Sequence, residues 1–424
     1  FLANTGSGGN PLRSVDPNLK IPESYQINVG YERKIGRNWV IEANYTWNKT
    51  AHLWREFNTN LPVLPSGFAD YTEYLIANPF TFTNVNGTTR TYKFYLGPTD
   101  DPSGVSTNPA TQSGNCGTTV NVTCWVNLNT VNSSTTSPNS NAGNGISSNS
   151  VGGPIGIARE ALRALRPDPS VDEKERVASI GNSRYQGLVV EMRRRLRSLG
   201  GGFAASLRAV YTLSELKDDG LNNTSNAEIN GDFSREWARA LQDRRHRFVF
   251  SGTVDTPNWL GKLRFSPIFR FGSSAPFNLG IGIDRNLNDT STDRVNFSGD
   301  ISEIKWRRPG SPVPLELLSQ FSLQPIGSSG GNLPRNSGRG PRMYIFDLNI
   351  TREWKFGERF RLRPNIEIGN LFNLAVFSYG AEFIDFTGLS SSPTATQLAN
   401  FNNTFIPTRT LRPRDIRIGV RFDF

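Results

Sequence analysis

Side chains able to take a ligand or a proton gather at few places in this 424-residue chain. The densest is Asp284–Arg294 (DRNLNDTSTDR). Asp284, Asn286 and Asn288 alternate oxygen donors, and Asp289 and Asp293 follow. Calcium takes six to eight oxygens, commonly from loops of this composition. These five residues are therefore the candidate metal ligands, with Ca2+ as the ion. The pattern lacks the central Gly and the closing Glu of an EF-hand. A solvated loop of Asx turns would use the same letters.

Cys116 and Cys124 are the only cysteines and lie close together in a polar stretch. A small disulfide loop formed in an oxidising compartment is the expectation, with two free thiols as the other reading. Neither a His nor a further Cys stands nearby to suggest zinc. His52 falls between Trp47 and Trp54, and His246 sits in a run of arginines. Nothing around them marks a nucleophilic site, and no glycine-rich phosphate loop precedes a helix. We expect no enzymatic activity.

The elements that position these groups are strands. The last nine residues, IRIGVRFDF, place Ile416, Ile418, Val420, Phe422 and Phe424 at every second position. Arg417, Gly419, Arg421 and Asp423 fill the gaps. A period of two gives a strand with one apolar and one polar face. Eight more strands follow from the same alternation, at about 24–35, 38–50, 182–198, 203–213, 248–254, 263–271, 344–351 and 360–368. Trp39, Ile41, Ala43, Tyr45 and Trp47, alternating with polar residues, give the cleanest example. Pro267 lacks an amide hydrogen for its ladder and predicts a bulge or kink there.

Short turns at 35–38, 200–202, 257–261 and 356–359 alternate with long loops at about 51–180, 217–242, 284–340 and 372–408. Transmembrane barrels show this asymmetry, with short periplasmic turns and long extracellular loops. Residues 1–23 read as a loop leading into the barrel, and 24–424 as the barrel portion itself. Within the first long loop, a short helix is expected at about 157–165 and short strand pairs around 80–95.

Composition agrees. Only 36% of residues are hydrophobic, as strands alternating between lipid and lumen require. Tyr31, Trp39, Phe203, Trp259, Trp354, Phe360 and Phe422 cluster near the short turns, and Trp47, Tyr211 and Tyr344 toward the loops. Two such belts match membrane interfaces. The net charge of +10 is spread over strand after strand, whereas a nucleic-acid binder gathers it into a patch. Nucleic acid is therefore not an expected partner. A soluble β-sandwich would bury the inward charges Glu32, Glu42, Glu191, Arg193, Arg208, Arg270, Arg363, Glu367, Arg417 and Arg421, at several kcal/mol each. A polar lumen removes most of that cost; there these groups could form ladders between strands, but the favoured expectation is that they only hydrate the wall and hold the plug.

These segments carry a family resemblance. DPNLKIPESYQINVGYERKIGRNWVIEANY, GNSRYQGLVVEMRRRL, AVYTLSELKDD, DRRHRFVFSGTVDTP, RPNIEIGNLFN and RPRDIRIGVRFDF occur in that order. Together they resemble the C-terminal part of an Oar-like TonB-dependent transporter, a group common in acidobacteria. The resemblance implies a plugged, 22-stranded outer-membrane barrel, of which these are the last nine strands. It also raises the prospect of metal at the Asp/Asn-rich loop, since the family often has such a stretch ending in Asp-Arg.

The implied partners are outer-membrane lipid, the barrel-assembly machinery that recognises the terminal strand, and TonB. TonB contact would run through an N-terminal part outside this chain. The chain starts at Phe1 without an initiator Met or signal peptide, and reads as a piece of something longer. The expected function is energised uptake of a bulky substrate. The alternatives are a passive porin-like or adhesive barrel and a soluble β-rich binding protein.

Overall fold

The computed structural model describes residues 12–83, 89–97, 123–129, 153–222, 225–378, 405–407 and 409–424. Nine long strands run antiparallel in one sheet. They are β1 (Glu23–Ile35), β2 (Trp39–Asn58), β3 (Lys174–Gly200), β4 (Phe203–Asp218) and β5 (His246–Asp255). Then come β6 (Leu263–Gly272), β7 (Met343–Arg352), β8 (Phe360–Gly369) and β9 (Asp415–Asp423). Each pairs with its neighbours in chain order. Three short strands join the same sheet, among them Leu12–Val15, which runs parallel to the start of β3.

The pairing registers align the alternation across the sheet. One row reads Tyr31, Ala43, Val190, Tyr211, Phe248, Phe271, Tyr344. The next row along, on the other face, reads Glu32, Glu42, Glu191, Val210, Val249, Arg270, Ile345. A one-residue slip would exchange the two faces, so the pattern itself holds the register. On the first face, apolar side chains stand open: Ile27, Val29, Ile418, Val420 and Phe422 are all exposed. Water does not favour such a face, and lipid does.

Four turns close the hairpins at one end. Gly36, Gly261 and Gly357 take left-handed backbone there, as do the three glycines of Gly200–Gly202. At Gly202 a side chain would also meet the Pro257 ring at 2.7 Å. The aromatics expected near this end pack on one another or on cations. Phe203 lies 6.4 Å from Trp259, Phe360 stacks 5.9 Å from Phe422, and the Arg352 guanidinium sits 4.9 Å over Trp354.

Two expectations are corrected. Pro267 causes no bulge: the β5–β6 register is the same on both sides of it, and the ladder merely loses its pairs around that position. The first long loop is shorter than expected, because β2 continues to Asn58 and β3 begins at Lys174. Their alternation is broken by register shifts between Thr50 and Arg55, where His52 adopts positive φ. About 9–11 residues cross a membrane in a tilted strand, so the 20 residues of β2 and 27 of β3 project well beyond one.

On those projections stands a second structure. The long loops pack together into a cap with its own hydrophobic core. Leu75 comes from helix α1 (Tyr71–Ala77), Ile157 from α2 (Pro154–Ala161), and Tyr92 and Val126 from a small three-stranded sheet. Leu279, Phe321 and Phe405 arrive from loops after β6 and β8. Each fully buried side chain of this kind contributes about 1.5–3 kcal/mol. The expected helix at 157–165 appears as α2 followed by a 3-10 turn, Arg163–Leu165. No helix among the described residues is long and apolar enough to cross a membrane, which says nothing about strands.

Candidate functional site

The Asp284–Arg294 loop lies inside the cap, not in solvent. Asp284, Arg285, Asn286, Asn288, Asp293 and Arg294 are all buried. The chain folds there because the side chains replace a regular ladder. Both oxygens of Asp284 accept backbone amides, from Asn288 at 3.0 Å and Asp289 at 2.9 Å. Oδ2 of Asp293 accepts from Arg285 and Asn286. Asn286 Oδ1 accepts from the Asn288 amide, and Asn288 Oδ1 accepts from the amide and hydroxyl of Thr290.

Distant arginines neutralise this loop. Asp289 accepts from Arg159 of α2 and from Arg166, with contacts of 2.7 and 3.0 Å to the latter. Asn58, at the tip of β2, donates to Asp289 at 2.9 Å. Burial alone would raise the Asp289 carboxyl, but Arg159 and Arg166 hold it below the usual range. Burial, opposed by Arg159, pushes Asp284 up to about 6. Asp293 is raised well above its ordinary value by burial and by the field of Asp284.

The calcium expectation does not fit this arrangement. Seven of the eight side-chain oxygens on the five candidate ligands already accept hydrogen bonds; only Asp293 Oδ1 has no partner. Arginine supplies the positive charge that a cation would bring. Among the described residues, no group of three or more His, Cys, Asp and Glu is placed to hold a metal ion.

A second buried network joins the same loop to its neighbours. The Arg294 guanidinium pairs with Glu228 at 2.7 Å and Glu236 at 2.8 Å. Glu228 also accepts from the amides of Arg294 and Gly331. Arg335 ties the cap to the wall through Asp218 at 2.6 Å, and buried Arg55 does so through Asp219 at 2.7 Å. These partners are separated by up to more than a hundred positions, and no local pattern in the sequence announces them.

Cys124 is fully buried in the small sheet of the cap. Cys116 lies outside the described residues, and the bridge between them remains a proposal. His52 places Nδ1 4.0 Å from Glu23. His246 shares a 2.8 Å hydrogen bond with the Tyr211 hydroxyl at the loop end of β4 and β5. Neither histidine is joined to an Asp–Ser arrangement by the hydrogen bonds described.

The polar face of the wall carries several ion-pair ladders. Arg193 bridges Glu32 at 2.7 Å and Glu42 at 3.9 Å, and Arg208 grips Glu191 at 2.7 Å. Arg270 pairs with Asp347, and Arg363 reaches Glu353 and Asp423. Glu367 stands opposite Arg417, yet Arg417 turns to Asp415 at 3.2 Å. The terminal strand residues Ile416, Ile418, Val420 and Phe422 lie on the opposite, apolar face, stacked on β8.

Where this polar face meets the cap lies a cleft of about 600 Å3. Arg244, Arg247, Arg270, Phe277 and Phe377 line it. Arg244 and Arg247 make no ion pair with a described carboxylate; each donates to a backbone carbonyl. The cleft is therefore cationic and suited to acidic or strongly hydrogen-bonding groups, while the ladders below it are charge-balanced.

A family model covers nearly the whole chain. The model of a family described as an outer membrane beta barrel domain matches residues 2–412. No curated protein matches the chain. Among solved structures, the chain is similar to the outer membrane transporter YddB from Escherichia coli, at 7% identity and a TM-score of 0.43. That match covers 98% of this chain and 35% of the other. The FrpB iron transporter from Neisseria meningitidis (F3-3 variant) is matched at 10% identity and a TM-score of 0.35, over 98% of this chain and 32% of that one. The ferric citrate transporter FecA, unliganded, is matched at 10% identity and 0.28, over 95% and 45%. The chain thus spans about a third of the first two structures.

Proposed function

The chain belongs to the outer membrane beta barrel domain family and lies in the bacterial outer membrane, and from that premise we propose that it is the C-terminal barrel portion of an Oar-like, TonB-energised transporter. In this reading the nine strands are part of a closed 22-stranded wall, and a plug and TonB-contacting segment belong to the rest of the protein. The cap receives a bulky substrate and delivers it through the cationic cleft to the lumen.

One observation carries the proposal. The long loops are condensed on a core of their own, above a charged face. Loops that fold this way at the mouth of a barrel form a binding surface held by a rigid support. A diffusion pore needs no such investment in its loops. Arg244 and Arg247, which have no carboxylate partner among the described residues, favour a substrate bearing acidic groups.

Two measurements on the full-length protein test this reading. Immobilised protein should capture the C-terminal domain of TonB, and planar bilayers containing it should show no steady conductance. Large steady conductance without TonB capture would establish the passive, porin-like alternative instead.

A further inference from the structure

On the apolar side of the wall, at the loop end, lies a second pocket of about 930 Å3. It adjoins the cleft on the polar face, with which it shares Gly340, Pro341 and Phe377. Its lining combines Lys305, Arg308, Arg339 and Arg342 with the rings of Trp306, Tyr344 and Phe377. Among the described residues, no carboxylate lines it. Lys305 is paired with Glu303 at 3.0 Å. Asp300 is held low by Ser302, with smaller help from Arg339 and Lys305. Arg308, Arg339 and Arg342 form no ion pair with any described carboxylate, and all three are exposed. Three guanidiniums without a described carboxylate partner at one pocket repel each other, and an anion offsets that cost.

The pocket is built on fixed backbone. The Trp306 amide donates to Arg339 at 2.9 Å, and the Arg339 amide returns a bond to Ile304 at 2.9 Å. Gly340 donates to Ala275 at 2.7 Å, and Arg307 donates to Phe405 in the cap core. The Trp306 and Phe377 rings pack 5.9 Å apart.

What lies below the pocket identifies its occupant. Tyr344 packs 5.2 Å from Phe271 and shares the apolar face with Phe346, Leu348 and Ile350. Phe346 packs 5.1 Å from Phe372, which is 62% exposed. Guanidiniums, then an aromatic collar, then a bare apolar face is the order of phosphate, interface and acyl chains in a leaflet. A soluble anion would use the cations and leave the apolar surface bare.

We propose that this pocket binds the phosphorylated headgroup of an outer-leaflet lipid, with Arg308, Arg339 and Arg342 on the phosphate and Trp306, Tyr344 and Phe377 against the headgroup and upper chains. The bound lipid clamps the segment 303–309 to the wall and steadies the cap from outside.

The test uses full-length protein in detergent and native mass spectrometry. The probes are bis-phosphorylated lipid A, its dephosphorylated form and inorganic phosphate. Wild-type protein should retain phosphorylated lipid A at least about tenfold more tightly than the dephosphorylated form. The triple variant Arg308→Ala, Arg339→Ala, Arg342→Ala should lose that preference, with its heat-modifiable gel migration intact. Equal retention by wild type and a folded triple variant would overturn the site. Equal binding of the two lipid forms by wild type would do so even if the variant fails to fold. Displacement of the lipid by millimolar inorganic phosphate would overturn the lipid as occupant.

Discussion

Wall and cap solve the same problem in opposite ways. In the wall, apolar side chains at every second position face outward, and Ile418 on β9 is 78% exposed. In the cap, Leu279, Phe321 and Phe405 are buried against one another with no sequence period to announce them. Charges are reversed as well. The wall keeps Arg208–Glu191 on an open face, with the arginine largely exposed, whereas the cap seals Arg294–Glu228 inside. One chain is thus folded for two solvents. The wall's outward face relies on lipid to cover it, and its backbone ladder gives it shape. The cap is a water-soluble domain in miniature, assembled from pieces that are far apart in sequence.

This contrast gives the largest expected effect. Arg294→Ala leaves Glu236 buried without its cation and Glu228 with only the more distant Arg235 at 3.6 Å. Removing one partner of a buried pair costs about 3–5 kcal/mol. Cap amides around Leu279 and Phe321 should lose hydrogen-exchange protection, while those of β4–β8 keep theirs. Loss of protection in both regions together would show that wall and cap fold as one unit, and would break the comparison.

Next in size is a substitution on the wall alone. Ile418→Arg puts a charge on the apolar face, where arginine near the membrane midplane costs about 2–4 kcal/mol. Its neighbour Arg417 faces the other side, and Arg417→Ile should shift stability by less than about 1 kcal/mol, because its partner Asp415 is a surface ion pair. Urea titrations of barrel folding into vesicles measure both. Equal effects at the two positions would mean that the faces are not in different solvents.

How much of this was legible in the sequence divides along the same line. The wall could be read because a strand's period is two and each hairpin turn is marked by glycine or proline. All nine long strands fall where the alternation puts them. The reading stopped early at Thr50 because the register shifts there and at Leu53 scramble the alternation for the rest of β2. The cap was invisible for a different reason. Its helices are short, its core residues are irregularly spaced, and its ion pairs are long-range: Arg159 meets Asp289 across 130 positions. The Asx-rich loop stands out in the sequence as a candidate ligand set, yet its oxygens serve the loop's own amides and two remote arginines. Spacing shows that such donors are close together, but not which positive group will reach them first.

The smallest predicted effect is a pH dependence confined to the cap. Three carboxyls there, two of them buried and Glu173 half-buried, are pushed in one direction. Burial pushes Asp284 up to about 6 and Glu173 up to about 8, with Glu175 and Asp289 adding to the latter, and Asp293 is raised well above its ordinary value. In the unfolded chain all three titrate near pH 4. Between about pH 4 and the raised values, the folded cap therefore binds more protons than the unfolded one. Its stability must then fall as pH rises through that window and be greatest on the acidic side. Asp289 runs the other way, but its depressed value means its contribution is lost only below the usual carboxylate range. Going from about pH 7.5 to 5 should thus stabilise the cap by about 1–3 kcal/mol, read from cap hydrogen exchange against the wall as internal reference. Asp284→Asn, which cannot titrate, should flatten part of that slope, although it leaves one of the two backbone amides that Asp284 accepts without its acceptor. A cap that weakens on mild acidification would mean that the arginines hold these carboxyls ionised, making the knot an ion-pair cluster rather than a partly neutral one.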